Sequence, residues 1–318
     1  MAVYSPISFE DLSLFLEQYN IGILEKYEGI LEGIENTNYK LTTSQNNFIL
    51  TIFEKRVKKS DLPFFINLKN HLAQKNFKCP QPIINKKGKN INTLNGKPCV
   101  IISFLQGKKI NDVTANHCHQ VGEILSSFHQ ASKDFKNQRT NKMHHTQWQS
   151  LFKKCQYIKD NPYVKLLTQI ENELDFLEQH WPSNLPKGII HGDVFRDNVF
   201  FNNNQFSGLI DFYFSCYDFY AYDIAITINA WCFDFKGEFD FSKFESLITG
   251  YQINRSLNSE EKKSMSILLR GAAIRILMTR LYDQLYHPDG AFVVPKDPQE
   301  YFSILKFHQN NNIFENIK

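Results

Sequence analysis

The first hundred residues carry the alternating apolar pattern of β-strands, interrupted by one helical stretch. Strands are predicted at 38–43 and 48–54, with the polar residues 44–47 between them as a hairpin turn. A helix start is predicted at 60–63, and apolar residues then recur at helical spacing, at Leu62, Phe65, Ile66, Leu72 and Ala73. Two further extended segments are predicted at 81–85 and 98–104. The pattern therefore predicts a small antiparallel sheet with one helix packed on it.

From Val113 onward the pattern changes to the period of helices. Helices are predicted at 114–133, 147–159, 163–181, 220–233, 241–253, 259–286 and 297–307. They are interrupted between 188 and 211, where short strands and loops are predicted. The change of pattern predicts an N-terminal domain over 1–105 and a C-terminal domain over 106–318. This order of elements indicates the α+β class.

Composition and charge exclude several classes of protein. At 318 residues and 42% hydrophobic, the chain exceeds the roughly 250 residues at which single cores stop growing. The 36 basic and 33 acidic residues include no long basic run, so we expect no nucleic-acid partner. Neither a secretory signal nor an apolar run of about 20 residues is present, so we expect no membrane association. The six cysteines form no Cys-x-x-Cys pair, which is typical of a reduced, cytoplasmic enzyme.

Residues 191–198, His-Gly-Asp-Val-Phe-Arg-Asp-Asn, have the spacing of a kinase catalytic loop. In such a loop the carboxylate of Asp193 accepts the proton of a substrate hydroxyl, and the side-chain carbonyl of Asn198 binds Mg²⁺ without adding charge. The apolar strand 207–210 leads into Asp211, whose carboxylate is a second candidate ligand because Mg²⁺ prefers oxygen. The motif predicts phosphoryl transfer from ATP with Mg²⁺ as cofactor.

The spacing between the two candidate metal ligands suggests a hairpin. If Asn204 and Gln205 form its turn, Asn198 faces Asp211 at about 5 Å. A simpler interpretation makes 191–193 a tight turn and Asp211 a helix cap. The Asn at the right offset, the strand before Asp211 and the order of sheet before helices favour the kinase interpretation.

Several segments, in order along the chain, resemble the aminoglycoside phosphotransferase and choline kinase group. Within that group the sequence is similar to the homoserine kinases, at 33–39, 48–54, 191–200, 222–232 and 295–302. The resemblance covers nearly the whole chain. It implies a two-lobed protein-kinase-like fold, with a small antiparallel-sheet N-lobe and a larger, mostly helical C-lobe. It also implies that Asp223 braces the catalytic loop and that His191 orients this loop rather than acting as a base.

The same resemblance implies which residues bind ATP. A turn covers the phosphates and the backbone of a hinge contacts the adenine ring. The candidates are Gly33, Ile34, Asn36, Thr37 and Asn38 in the turn, and Ser103, Phe104 and Leu105 in the hinge. The alternative is that 33–38 is an ordinary surface turn, since it contains a single glycine.

The third strand departs from the wider kinase pattern. Thr51 stands where a lysine usually neutralises the α- and β-phosphates, and the helix over 61–74 contains no glutamate to pair with such a lysine. Loss of both partners leaves no buried unpartnered charge from that pair. We hypothesise that Arg56, in the basic run at 55–59, helps to bind ATP. Basic runs of this kind are more often solvated surface.

The resemblance implies L-homoserine as the small-molecule acceptor. Its carboxylate calls for an arginine, because a guanidinium binds a carboxylate through two parallel hydrogen bonds. The candidates are Arg196, Arg275 and Arg280. Two alternatives stay open. The acceptor is choline, a methylthio-sugar, an N-acetylhexosamine or an aminoglycoside, or the chain is a nucleotide-binding module without catalysis.

Overall fold

The computed structural model describes residues 5–30, 36–54, 58–157, 162–234, 236–286 and 295–315. Contacts within the chain divide it into two compact units. The first comprises Met1–Lys108, Phe200–Asn202 and Ser207–Tyr213, and the second comprises Lys109–Val199, Asn203–Phe206 and Phe214–Lys318. Within the described ranges, every helix is too short or too polar to cross a bilayer.

The first unit contains an antiparallel five-stranded sheet and two helices. Its strands lie in the order β1-β2-β3-β5-β4. They are β1 (Leu24–Ile30), β2 (Asn36–Thr43), β3 (Asn47–Phe53), β4 (Ile91–Leu94) and β5 (Lys97–Ser103), and the helices are α1 (Phe9–Leu16) and α2 (Leu62–Gln74).

Side chains of β3 contribute to two separate buried clusters in this unit. Leu50 and Ile52 belong to a buried cluster with Leu12 of α1. Phe53 belongs to a separate cluster with Leu62 of α2. Because successive side chains of a strand point to opposite faces, one sheet buries apolar surface on both sides.

The predicted hairpin is confirmed, since β2 and β3 pair with Thr42 opposite Asn47. The strand predicted at 81–85 is wrong, because this segment makes only the isolated bridge between Pro82 and Ile102. Pro80 and Pro82 lack the backbone N–H that a strand donates to its neighbour. The sequence patterns did not predict α1, β1 or β4.

The second unit is mostly helical, and its helices confirm the predicted ones to within a few residues at each end. They are α3 (Ala115–Ala131), α4 (Trp148–Gln156), α5 (Val164–His180), α6 (Tyr220–Trp231), α7 (Phe241–Gln252), α8 (Ser259–Leu285) and α9 (Pro298–Asn310). Helix α6 is buried at every position except Tyr220 and Ala230. It therefore forms the centre of this unit.

Short strands surround the predicted catalytic loop. Strand β6 (Lys187–Ile190) pairs antiparallel with β9 (Cys216–Phe219). Strand β7 (Val199–Asn202) pairs with β8 (Gln205–Leu209) in a second two-stranded sheet.

The turn of the β7–β8 hairpin differs from the predicted one. The strand ends leave Asn203 and Asn204 as the turn, and both have positive φ, at 49° and 59°. Two such residues are what a type I′ turn requires, and asparagine tolerates this conformation. The register counted from a turn at Asn204–Gln205 is therefore wrong. A turn at Asn203–Asn204 brings Leu209, rather than Asp211, opposite Asn198.

Candidate active site

Asp193 lies in the loop that leaves β6, where it is partly exposed. The side-chain amide of Asn198 donates two hydrogen bonds to it, to the backbone oxygen and to Oδ2 of Asp193, both at 2.8 Å. Asn198 is itself buried in the short 3-10 turn Arg196–Asn198. The five-residue spacing read from the sequence thus brings these two side chains together, and it fixes the rotamer of Asp193.

The side chain of Asp223 binds the backbone at the start of the same loop. This fully buried residue of α6 accepts the backbone N–H of His191 at Oδ2 (2.7 Å) and that of Gly192 at Oδ1 (2.8 Å). Burial acts to raise the pKa of Asp223, but the hydrogen bonds from His129 and from the Gly192 N–H outweigh it, so the pKa lies below its usual value. An ionised carboxylate therefore fixes the loop backbone.

Gly192 is required at the point where this loop turns. Its φ of +74° lies in the left-handed region, and an added Cβ would lie 3.1 Å from the carbonyl oxygen of Phe214. The ring of His191 is fully buried and packs edge-on against Phe128 at 6.0 Å. This position supports the orienting role expected for His191.

Asp211 follows β8 in the first unit, with φ at +62°. The backbone N–H of Tyr213 lies 3.4 Å from its Oδ1, and Phe212 beside it is fully buried. A non-glycine residue held at positive φ is uncommon and marks a backbone whose conformation is fixed by its surroundings. The carboxylate is thus presented from a defined turn rather than as a helix cap.

Two of the three candidate arginines, Arg196 and Arg275, donate only to backbone carbonyl groups among the hydrogen bonds described for them. Arg196 donates to the carbonyl oxygens of Ala230 and Phe233. Arg275 is buried and donates to the Gly192 oxygen at 2.7 Å. Both guanidinium groups therefore brace the catalytic loop and its neighbourhood, which does not favour them as ligands of a substrate carboxylate.

The third arginine, Arg280, lies beside α9. It donates to the backbone oxygen of Asp297 at 2.9 Å and to Glu300 Oε2 at 2.6 Å, and it stacks over the ring of Tyr301 at 4.6 Å. Burial raises the pKa of Tyr301, the charge of Arg280 opposes this, and the charges of Glu300 and Asp193 add to it. Arg280 and Tyr301 therefore lie in the electrostatic neighbourhood of Asp193.

Known proteins with similar sequences are kinases, as the catalytic-loop motif predicts. The model of the phosphotransferase enzyme family matches residues 26–252. A homoserine kinase of Sinorhizobium medicae is 46% identical over 97% of this chain and 95% of its own length. A homoserine kinase of Bartonella henselae is 47% identical over 98% of this chain and 97% of its own length. The chain belongs to the homoserine kinase family of phosphotransferases.

The solved structures show the same fold at low identity. An amicoumacin kinase, solved with AMP-PNP, calcium and amicoumacin, superposes with a TM-score of 0.71 at 14% identity, covering 98% of this chain and 94% of its own. The expected protein-kinase-like α+β fold is thereby confirmed for this family member.

The candidate nucleotide-binding residues of this phosphotransferase are only partly described. Gly33, Ile34 and Arg56 lie outside the described residues. Asn36 is buried at the start of β2, and the hydroxyl of the buried Thr37 donates to Glu54 Oε1 at 2.8 Å. Thr37 is therefore engaged with the first unit's own acid, which does not favour direct binding of phosphate.

Thr51 and Asn38 form a cross-strand pair. They are opposite each other in the β2–β3 ladder, and Thr51 Oγ1 donates to Asn38 Oδ1 at 2.8 Å. At the position that carries a lysine in other kinases, this chain has a threonine that forms a hydrogen bond between two neutral side chains. This geometry explains how a threonine is accommodated at a buried site without loss of a hydrogen bond.

The three hinge residues differ in what their backbones bind. Ser103 N–H donates to the Gln81 oxygen at 2.9 Å, and Phe104 N–H donates to the Asn47 oxygen at 3.3 Å. The N–H of Leu105, by contrast, makes no backbone hydrogen bond to any described residue. A hinge amide that binds adenine must be available in this way, so the geometry favours Leu105.

Lys69 is a buried lysine that the sequence analysis missed. It lies on α2 at 3% exposure, and its Nζ lies 5.7 Å and 5.4 Å from the ring centroids of Phe212 and Tyr213. Burial lowers its pKa, against the opposing charges of Cys79 and Asp211. The signal was present, because Lys69 falls at helical spacing within the apolar face of α2. A buried lysine thus lies in this unit even though Thr51 replaces the usual lysine.

Proposed function

We propose that this chain transfers the γ-phosphoryl group of ATP to the hydroxyl of L-homoserine, giving O-phospho-L-homoserine, a step of threonine biosynthesis. The observation that carries the choice of acceptor is the identity of 46% over nearly the full length with a relative named homoserine kinase. The reaction class is supported independently by the hydrogen-bonded pair of Asp193 and Asn198.

Asp193 is the residue that contacts the acceptor hydroxyl in this proposal. Its carboxylate accepts the hydroxyl proton as the oxygen attacks the γ-phosphorus in line with the departing ADP, and no covalent phosphoenzyme forms. The support is its partial exposure together with the two hydrogen bonds from Asn198 that restrict its rotation. Such positioning is most of what a kinase contributes to phosphoryl transfer.

The proposed ligands of Mg²⁺ are Asn198 and Asp211. The residue types fit a hard cation. The amide nitrogen of Asn198 donates to Asp193, so its Oδ1 is the atom that would bind the cation, and Asp211 would supply a carboxylate oxygen. No cluster of three His, Cys, Asp or Glu side chains suited to a metal occurs among the described residues. Mg²⁺ typically uses one or two protein oxygens, together with phosphate oxygens and water. When bound, Mg²⁺ offsets the negative charge of the transferring phosphoryl group.

Arg280 is the proposed partner of the homoserine carboxylate. Arg196 uses two guanidinium nitrogens to bind backbone carbonyl groups, and Arg275 is only 3% exposed. Arg280 is partly exposed and makes its two hydrogen bonds, to Asp297 and Glu300, through one guanidinium nitrogen. Its stacking on Tyr301 fixes the plane of the guanidinium, which favours bidentate binding of a carboxylate.

The proposed ATP contacts rest on the hinge and on the β2–β3 strands. Leu105 binds the adenine through its backbone N–H, and Asn36, Asn38 and Thr51 line the strands that lead toward the phosphates. Gly33, Ile34 and Arg56 remain candidates on the strength of the family resemblance alone.

The test is ATP consumption by the purified protein with Mg²⁺ and a panel of acceptors: L-homoserine, choline, ethanolamine, methylthioribose, an N-acetylhexosamine and kanamycin. We expect turnover with L-homoserine far above that with the others. Preference for another acceptor replaces the proposed substrate and keeps the reaction, and nucleotide binding without any turnover contradicts the proposal. The Asp193→Asn variant, purified in parallel, excludes a contaminating kinase.

A further inference from the structure

A line of buried polar side chains runs from Asp223 away from the catalytic loop. His129 Nε2 lies 3.0 Å from Asp223 Oδ2, and His129 Nδ1 lies 2.8 Å from the hydroxyl of Tyr251. Arg255 Nη1 donates to that hydroxyl at 3.1 Å, and its Nη2 donates to Glu261 Oε1 at 2.6 Å. Asp223, His129, Tyr251 and Glu261 are each at most 1% exposed. The proposed steps of phosphoryl transfer use none of His129, Tyr251, Arg255 and Glu261.

The two ends of the line fix the direction of every hydrogen bond in it. A guanidinium can only donate, and an ionised carboxylate can only accept. Tyr251 therefore accepts from Arg255, and His129 Nε2–H donates to Asp223. A neutral imidazole that donates from Nε2 can only accept at Nδ1, so Tyr251 donates its proton to His129 Nδ1.

The charges of the buried groups agree with this direction. Burial lowers the pKa of His129, against the hydrogen bond and charge of Asp223 that oppose it, so the imidazole is neutral. Burial acts to raise the pKa of Asp223, but its hydrogen bonds and neighbouring charges lower it, so the carboxylate is ionised. A neutral imidazole can donate to Asp223 only in the Nε2–H tautomer, which makes the tautomer decisive.

The far end of the line is anchored to the start of α8. Glu261 accepts the backbone N–H of Asn258 at 3.1 Å, and its own N–H donates to Asn258 Oδ1 at 2.8 Å, which forms a capping box. The Arg255 guanidinium stacks over Tyr220 at 4.7 Å. The line thus connects α8 and α7 through α3 to α6, and it ends on the backbone of the catalytic loop.

We propose that Arg255, Tyr251 and His129 are positioning residues for phosphoryl transfer: they fix the Nε2–H tautomer of His129 and thereby hold Asp223 in the orientation that sets the backbone at His191 and Gly192. This proposal rests on the proposed function, because its kinetic effect is measured on the phosphoryl transfer itself. None of the three residues contacts a reacting atom.

The sharpest variant is Tyr251→Phe, which removes one oxygen and keeps the ring. His129 Nδ1 then loses its donor, and the Nδ1–H tautomer that becomes accessible turns a lone pair toward the Asp223 carboxylate. We expect kcat to fall roughly tenfold, as loss of one buried hydrogen bond in the transition state allows, with KM for ATP and for the acceptor within about twofold of wild type. Tyr19→Phe is the matched control, because it removes a buried hydroxyl that accepts from Asn92 at 2.7 Å in the first unit.

Two substitutions of His129 distinguish the loss of its N–H donor from the loss of its packing. Glutamine at this position can place an amide N–H near the site of Nε2, so His129→Gln is expected to retain kcat within about threefold. His129→Leu has no donor and is expected to lose more than tenfold in kcat. If His129→Leu does not fold, Tyr251→Phe and His129→Gln still decide the question.

Amide hydrogen exchange of the segment containing His191 and Gly192 provides a readout that does not depend on turnover. We expect faster exchange there in Tyr251→Phe and wild-type exchange in Tyr19→Phe. Unchanged exchange at His191 and Gly192 in Tyr251→Phe, or a kcat equal to that of Tyr19→Phe, overturns the proposal. If the wild-type protein phosphorylates no acceptor, the proposed function fails while exchange still tests the positioning role.

Discussion

At the scale of single residues, the catalytic carboxylate depends on its immediate neighbours. Asn198 fixes the rotamer of Asp193 from one side, and Asp223 fixes the backbone that carries it from the other. A carboxylate held in this way loses little entropy when the acceptor binds, so its removal should affect the chemical step more than binding.

Asp193→Asn tests this expectation. The amide cannot accept the hydroxyl proton, so we expect kcat to fall about 10² to 10⁴-fold while KM for ATP stays within about twofold. Steady-state kinetics with the preferred acceptor measure both constants. Asp197→Asn is the matched control, because Asp197 lies on the same loop, is 55% exposed and pairs only with surface lysines among the described residues, so it should keep wild-type kcat. A kcat above one tenth of wild type in Asp193→Asn would remove Asp193 from its role.

Asp211→Asn tests the second proposed ligand of Mg²⁺. Loss of the carboxylate charge should raise the Mg²⁺ concentration for half-maximal activity by about tenfold or more, with part of the rate restored at high Mg²⁺. A Mg²⁺ titration of initial rates checks this. Asp112→Asn, in an exposed loop, should titrate as wild type does. Equal Mg²⁺ dependence in the two variants would show that Asp211 is not a ligand.

The sequence predicts the residues of the site that are close together along the chain, and it misses those that meet only through folding. The spacing of Asp193 and Asn198 is local, and their hydrogen bonds follow from it. His129 precedes Asp223 by 94 residues and Tyr251 by 122, so no local pattern connects them. The hydrogen bonds of Arg196 and Arg275 could not be predicted for the same reason, because the carbonyl groups that they bind are distant in sequence.

At the scale of whole elements, helices α3 and α7 come into backbone contact through two glycines. A Cβ added to Gly122 would lie 2.0 Å from the carbonyl oxygen of Leu247, and a Cβ on Gly250 would lie 2.0 Å from that of His119. The closeness is needed because α3 carries His129 and α7 carries Tyr251, whose side chains meet at 2.8 Å. Glycine thus sets the separation of the two helices that carry the buried line.

Gly122→Ala should therefore destabilise the protein, although alanine is intrinsically better in a helix by about 1 kcal/mol. Because backbone has to move, we expect a net loss of about 2 kcal/mol in the free energy of unfolding, measured by urea denaturation. Asn116→Ala introduces alanine at an exposed position of the same helix and should change stability little. Equal stability of both variants would mean that the helices have room for a methyl group.

Element prediction succeeded where periodicity was strong. Helices α3 and α5 of the second unit bury one face each, so their apolar residues recur at a period that can be counted. Strand β1 was missed because it pairs only with β2 and buries only Leu24 along its length, so its charged sequence lacks alternation. Strand β4 is four residues long with one buried side chain, which is too short for any pattern.

At the scale of the whole molecule, the second unit buries histidines whose pKa values are lowered by burial, and His308 is one of them. His308 is 4% exposed on α9, and its Nε2 lies 2.8 Å from Asn229 Oδ1. Asn229 Nδ2 donates to the Leu269 oxygen at 2.9 Å, so Asn229 Oδ1 must accept from His308, whose Nε2 therefore carries a proton. Burial, with a smaller contribution from the charge of Arg270, lowers the pKa of His308 to about 3.

This depressed pKa makes the stability of the unit depend on pH. The folded-state pKa lies below the unfolded value of about 6.5, so as the pH falls below 6.5 the unfolded chain binds a proton that the folded chain excludes. Stability is therefore present above pH 6.5 and is lost progressively toward pH 3. Each pH unit within this window costs about 1.4 kcal/mol from His308 alone.

His308→Gln isolates this contribution, because glutamine can donate to Asn229 but does not titrate. Relative to the variant, wild type should lose about 2 kcal/mol of unfolding free energy between pH 6.5 and pH 5. Tryptophan fluorescence during urea denaturation is the suitable measurement, since Trp148, Trp181 and Trp231 all lie in the same unit as His308. Other acid-sensitive groups, His129 included, are present in both proteins and cancel in the difference. His180→Gln at an exposed position should run parallel to wild type, whereas parallel curves for His308→Gln and wild type would mean that His308 is charged or exposed in the folded protein.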